Sequence, residues 1–215
     1  MTTPPRPGTD GLRIGFVPGV TLTKWRTIWA ERFRRVPLAV SEVAEADQRQ
    51  VVADGEVDFC FVRLPVDRAG LHVIELYDEV PVAWIATDHP LADLESVTVA
   101  DLADEDVYDV VDPHTIDLVV LAGAVLRVPT SIARTHSRRD LVYRPVSDAP
   151  ATTVALAWLV DNPNEWIDEF IGVVRGRTVN SSRTAKERAS GEPPKPVGPA
   201  KPGHSAGRPR RGRRR

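Results

Sequence analysis

Leu12-Arg13-Ile14-Gly15-Phe16-Val17 opens the stretch that decides the fold, and Val57-Asp58-Phe59-Cys60-Phe61-Val62-Arg63 closes it. The opening run alternates and then meets Pro18-Gly19, so it reads as a strand entering a turn. Between the two runs, Trp25, Ile28, Trp29, Phe33 and Val36 trace one helical face. That spacing predicts a helix over 23–36, with Thr23 as its N-cap and Pro37 as its stop. Leu38 to Val43 reads as a second short strand. Asp47 to Asp54 reads as a short helix ending at Gly55, a residue suited to the left-handed C′ position. The closing run is almost continuously apolar, as expected of a strand covered on both faces. Strand, helix, strand, helix, strand implies parallel pairing and an α/β fold.

Working outward, Leu71 to Leu76 and Val80 to Ala86 are further strand candidates, and Asp88-His89-Pro90 marks a turn. Thr98-Val99-Ala100-Asp101 looks like a capping-box start to a short helix. Val107 to Val111 reads as a strand broken at Pro113. Ile116 to Ala122 reads as a helix closed by Gly123, and Ala124 to Val128 as a strand leading into a short helix over 129–135. Leu141 to Val146 and Thr152 to Leu159 are strands. The last helix is expected to be capped by Asn162, with Pro163 at its first position and Glu165 at its third. Trp166, Ile167, Phe170, Ile171 and Val174 would form its apolar stripe, and Gly176 its end.

The formal charge of −2 hides an asymmetry. Residues 175–215 hold 13 basic and 2 acidic residues, a charge of +11, whereas residues 1–174 carry −13. Residues 180–215 contain six prolines, no aromatic residue, and Val197 as their only aliphatic residue larger than alanine. Such a segment cannot bury enough apolar area to offset its ordering entropy, so 179–215 is expected to be a disordered tail. Residues 1–10 read as a flexible leader. A single cysteine, Cys60, excludes a disulfide framework and a thiolate metal cluster. It sits in an apolar run and reads as a buried, inert thiol. No secretory signal is visible, and no apolar run approaches the ~18 residues of a membrane helix. The expected location is the cytoplasm, with no membrane contact.

A search for catalytic constellations is negative, so an enzyme is not expected. His72, His89, His114, His136 and His204 lack metal-ligand spacing. No nucleophile elbow, phosphate loop or dinucleotide fingerprint is present. Asp104-Glu105-Asp106 reads as a solvated face. No cofactor and no metal are expected.

The ordered series of segments resembles the effector-binding domain of LysR-type transcriptional regulators. It is carried by Leu12-Arg13-Ile14-Gly15, by the helix ending Phe33-Arg34-Arg35-Val36-Pro37, and by Asp54-Gly55-Glu56-Val57-Asp58. Leu76-Tyr77-Asp78-Glu79-Val80-Pro81-Val82, Asp88-His89-Pro90-Leu91-Ala92 and Val97 to Ala103 continue it. Leu121-Ala122-Gly123-Ala124-Val125-Leu126-Arg127-Val128-Pro129 follows in the family order. The resemblance spans roughly residues 12–175 and implies a type 2 periplasmic-binding-protein-like pair of α/β lobes around a ligand cleft. Residues 11–178 would form this domain, with lobe I at 12–80 and 151–175 and lobe II at 82–148. The family's N-terminal winged helix-turn-helix has no counterpart in this sequence, which opens at the first effector-domain strand. Lobe II is expected to be shortened by one helix-strand unit after Val107–Val111.

The resemblance also implies where a small anionic effector would sit. In two-lobed binding folds ligands meet the loops at strand C-terminal ends. Thr21 and Thr23 follow the first strand and precede a helix N-terminus, where backbone N–H groups favour anions; Thr23 could equally be a cap alone. Arg63 ends the buried strand and could pair with a carboxylate, or be a solvated charge. Thr130 and Ser131 match a family cleft position, or cap a helix. In the tail, Gly207-Arg208-Pro209-Arg210 resembles an AT-hook core, continued by Arg211, Arg213, Arg214 and Arg215. An extended Arg-Pro segment suits the narrow minor groove of A·T-rich DNA. Generic phosphate attraction and screening of the acidic body are the other readings. The sequence thus points to a transcription regulator whose tail contacts DNA. The alternative is a binding or interaction module that forms a homodimer or pairs with another regulator.

Overall fold

A computed structural model of the chain describes residues 11–176. Strand β1 (Leu12–Phe16) pairs in parallel with β2 (Leu38–Glu42) on one side and β3 (Phe59–Arg63) on the other. β3 is buried at every residue because both its faces are covered. Phe59 and Phe61 join Trp29 and Phe170 on one face, while Cys60 and Val62 join Val52 and Ala155 on the other. Burial of each such side chain is worth roughly 1.5–3 kcal/mol, which makes this strand the anchor of the first core. The sheet is completed by β4 (Leu71–Glu79) and β9 (Thr152–Leu159), in the order β2-β1-β3-β9-β4. β9 runs antiparallel to both its neighbours. The parallel pairing read from the sequence thus holds for the first three strands.

Helix α1 (Thr23–Arg32) lies on this sheet, with Trp25 stacked on Phe61 at a centroid distance of 4.7 Å. Two expectations are corrected here. Leu22, not Thr23, is the N-cap residue, and no side chain caps the helix. The helix also ends at Arg32, short of Val36. The buried Trp29 indole N–H needs an acceptor, and it finds the Val36 carbonyl at 2.9 Å. That contact requires the chain to leave the helix and fold back. After β2, a 3₁₀ turn (Glu45–Asp47) and α2 (Gln50–Ala53) lead to Gly55 at φ +68°, where the sequence placed the helix end.

The closing helix, α5 (Ile167–Val174), starts later than expected, with Trp166 as its N-cap. The Asn162 side chain accepts from Asn164 N–H, and the Asn164 side chain accepts from Trp166 N–H, each at 3.0 Å. These two successive Asx turns compete with helix for residues 162–166. Both asparagines are also anchored, Asn162 donating to the Asp58 carbonyl and Asn164 to that of Gly11. The apolar stripe of α5 packs as the spacing predicts, with Phe170 1% exposed.

The chain crosses at Val80 into a second sheet and returns to the first before β9. β5 (Pro81–Ala86), β6 (Val107–Tyr108), β7 (Val125–Pro129) and β8 (Leu141–Pro145) lie in the order β6-β7-β5-β8. α3 (Pro113–Ala122) and α4 (Thr130–Thr135) pack on one face, around Val82, Trp84 and Leu126. The strand expected over 107–111 shrinks to two paired residues, because Asp109 turns to Arg127 at 2.9 and 3.0 Å. No strand passes Pro113, and α3 starts at Pro113 itself, three residues before the expected Ile116. Asp112 accepts from Thr115 N–H at 2.8 Å and Thr115 Oγ1 accepts from Asp112 N–H, a complete capping box. Thr98 and Asp101 make the reciprocal bonds expected at the short 3₁₀ turn Ala100–Leu102. Among the described residues no helix is long and apolar enough to cross a membrane.

Candidate ligand-binding cleft

The loop after β1 is shaped by which of its side chains are buried. Val17, Val20 and Leu22 enter the first core, at 0%, 5% and 7% exposure. Thr21 and Thr23 are thereby left facing outward, at the uncapped N-terminus of α1. Both line a cleft of about 240 Å³, together with Gly19, Arg26, Glu42 at the end of β2, and Thr135 of α4. The cleft therefore draws on both sheets' layers. Of the five residues expected to meet an effector, Thr21 and Thr23 are brought together in it.

The other three sit elsewhere. Arg63 is not solvated: it is 3% exposed and its donors are taken. Its guanidinium meets Glu79 Oε2 at 2.9 Å, Glu45 Oε2 at 2.8 Å and the Pro18 carbonyl at 3.1 Å. Its backbone N–H and C=O are both bonded by the Gln48 side chain, at 2.7 and 3.0 Å. Arg63 thus pairs with carboxylates of this chain and holds the loop after β1 from beneath. Tyr77 stands beside this group; burial and then the Glu79 carboxylate push its hydroxyl up, against the pull of Arg63. Thr130 donates to the Val80 carbonyl at 2.6 Å, fastening α4 to the crossing between the sheets. Ser131 abuts Gly19, with its Oγ buried and without a partner. Neither threonine nor serine caps α4, whose N-cap position is Pro129.

Sequence reasoning missed Gly19, Arg26, Glu42 and Thr135. Pro18-Gly19 was legible as a turn, but its contact with α4 spans over a hundred residues and leaves no local signal. Arg208, Pro209, Arg210, Arg211, Arg213, Arg214 and Arg215 lie outside the described residues, as do the leader 1–10 and residues 177–215.

Cys60 is fully buried, and desolvation pushes its thiol up to about 12. His89 is also buried; its Nδ1 accepts from Leu91 N–H at 3.2 Å and its Nε2 lies 3.4 Å from Glu105. Among the described residues no group of three or more His, Cys, Asp or Glu is placed to hold a metal ion.

Two α/β layers joined by short crossings define a periplasmic-binding-protein-like fold. The chain belongs to the LysR substrate binding domain family, whose profile matches residues 7–118. Three relatives are similar in sequence. A probable hydrogen peroxide-inducible genes activator of Mycobacterium avium is 32% identical over 97 residues, 44% of this chain and 31% of the relative. The HTH-type transcriptional regulator AlsR of Bacillus subtilis is 28% identical over 107 residues, 48% of this chain and 35% of the relative. The Hca operon transcriptional activator HcaR of Escherichia coli is 23% identical over 199 residues, 77% of this chain and 67% of the relative. The chain spans about a third of the length of the first two. The HcaR match runs over 199 aligned residues but draws on 77% of 215, about 166, so roughly thirty aligned positions have no counterpart here.

Among solved structures, the reduced OxyR regulatory domain from Pseudomonas aeruginosa superposes with a TM-score of 0.63 at 20% identity, covering 78% of this chain and 95% of that one. The BenM effector binding domain with its effector benzoate gives 0.64 at 19% identity, covering 86% and 96%. These likenesses establish the shared fold.

Proposed function

We propose that this chain is the effector-sensing part of a LysR-type regulator of transcription, and not an enzyme. Its lobes, residues 12–80 with 151–175 and residues 82–148, would close on a small anionic effector. The observation that carries this is the pair Thr21 and Thr23, exposed at the uncapped start of α1 inside a cleft shared with Thr135. Helix N-termini and hydroxyl donors suit a carboxylate, and the effector of BenM, benzoate, is one. Arg63 would act through Pro18, by holding the loop, and not by touching the effector. Peroxide sensing through a cysteine is disfavoured: the thiolate is the reactive form, and the Cys60 thiol is buried and pushed up to about 12. The test is a thermal-shift and calorimetric screen of small carboxylates on the intact chain and on Thr21→Val/Thr23→Val. A ligand at a hundred times its Kd should add about 2.7 kcal/mol of stability, lost in the double variant. No shift by any carboxylate overturns the reading.

DNA contact would fall to Arg208–Arg215, because residues 1–174 carry −13 and would repel phosphate. Such a protein works in the cytoplasm, at the nucleoid. Removal of residues 180–215 should abolish DNA retention and its salt dependence; equal retention by the shortened chain would sink this part.

A second reading is association, with a second copy or another regulator, through the outer face of α1. It is favoured by a groove of about 660 Å³ between α1 and β2, in which Ala30, Phe33, Val36 and Leu38 lie beside Arg26 and Arg34. Sedimentation of the intact chain and of Ala30→Arg distinguishes a dimer built on this face from a monomer.

A further inference from the structure

The cleft carries both signs of charge, and neither is paired among the described residues. Arg26, on the second turn of α1, and Glu42, at the C-terminal end of β2, line the same space of about 240 Å³. Both are exposed, and neither side chain makes an ion pair or hydrogen bond among the described residues. They do not pair with each other across the cleft. From these charges we infer that the effector is a small zwitterion, a molecule carrying a carboxylate and an ammonium group a few bonds apart, of the kind an amino acid is. This rests on the effector reading above and names its chemical class.

The argument is one of matching. A carboxylate placed by Thr21 and Thr23 meets two hydroxyls, the free N–H groups of the first turn of α1, and the Arg26 guanidinium. A simple anion in that position leaves the exposed Glu42 carboxylate facing a like charge across the cleft, which disfavours it at low ionic strength. A simple cation meets the mirror problem at Arg26 and the positive end of α1. Only a ligand with both groups answers both side chains. Thr135 also lines the cleft, with its hydroxyl donating to the Ser131 carbonyl at 2.9 Å and so keeping its lone pairs free to accept. The volume is below the ~300–1,000 Å³ of drug-sized pockets, so the ligand is small. Specificity of this kind comes from what is rejected as much as from what is bound.

The experiment titrates the intact chain, at low ionic strength, with the common amino acids, each beside its deaminated acid and its decarboxylated amine. At least one amino acid should bind ten-fold more tightly than both of its single-charge counterparts. Glu42→Gln should bring the amino acid and its deaminated acid to within about two-fold of each other. Arg26→Gln should weaken both by a similar factor. Both substitutions are on exposed side chains, so folded protein is expected, and circular dichroism checks it. If acids bind as tightly as the matching amino acids, or Glu42→Gln leaves the preference intact, the zwitterion inference is overturned while the anion cleft stands. If amines bind as tightly as amino acids, it is overturned as well. If no member of the three sets binds, the cleft reading falls and takes this inference with it.

Discussion

Ser131 Oγ stands 2.5 Å from where a Cβ on Gly19 would be built. The backbone N and Cγ1 of Ile132 are each 3.0 Å from the same point. This is where the loop after β1 touches the start of α4, so a glycine sets how closely the two layers approach beside the cleft. Its φ of +88° is also a conformation that side chains rarely adopt.

Gly19→Ala therefore meets two penalties, steric and conformational. Ile132 N is backbone and cannot swing away. The expected loss is about 1–3 kcal/mol in urea unfolding, with a matching fall in Tm. Wild-type stability in this variant would show that the contact is not close.

Ser131→Ala should behave in the opposite way. The hydroxyl is buried with no partner, and an unsatisfied polar group costs about 1–3 kcal/mol. Its removal is expected to be neutral or mildly stabilising. Thr130→Val, next to it, removes the 2.6 Å bond to the Val80 carbonyl and should cost about 0.5–1.5 kcal/mol. Chemical denaturation of the two variants side by side checks the contrast.

Arg63→Met should be among the most damaging single changes. It strands Glu79, whose side chain is 6% exposed, without its ion pair, and releases Pro18. Breaking one side of a buried pair costs about 3–5 kcal/mol. Glu45→Gln should cost no more than about 1 kcal/mol, because that carboxylate is half exposed. Comparable losses for the two would contradict the burial argument.

Cys60 should be silent to thiol reagents in the native protein below pH 10 and label only as the chain unfolds. Its proton is held to about 12 in the folded state against 9.0 for an unperturbed thiol. The unfolded chain releases that proton first, so stability from this group is full below pH 9 and is lost as pH rises from 9 toward 12, by roughly 1.4 kcal/mol per unit at most. Labelling kinetics against pH, with denatured protein as reference, reads this directly. Rapid native labelling at pH 8 would refute it.

Much of the fold was legible because its determinants are local. The helical spacing of Trp25, Ile28 and Trp29 and the unbroken apolar run at Phe59–Val62 each mark an element by period, although Phe33 and Val36 fall beyond the end of α1. Gly55, Gly123 and Gly176 mark helix ends, and each takes a positive φ. The errors came where a distant partner outbid a local rule. Thr23 and Asn162 have the chemistry of caps, yet Leu22 and Trp166 occupy those positions. Asn162 and Asn164 spend their amides on Asp58 and Gly11, more than a hundred residues away. The break at Pro113 was legible, but Asp112 and Thr115 also make it a helix start, ahead of the expected Ile116.

The sequence by itself determined the strand and helix order, the family, the inert character of Cys60 and the separation of charge between residues 1–174 and 175–215. These depend on composition and on spacings of a few residues. Only the tertiary structure decided that Arg63 is spent on Glu79 and Glu45, that Gly19 meets Ser131, and that Arg26 and Glu42 share one cleft without pairing. Each of those relations joins residues held by different elements. Their energies depend on burial and on distances of a few ångströms, which the order of residues along the chain does not carry.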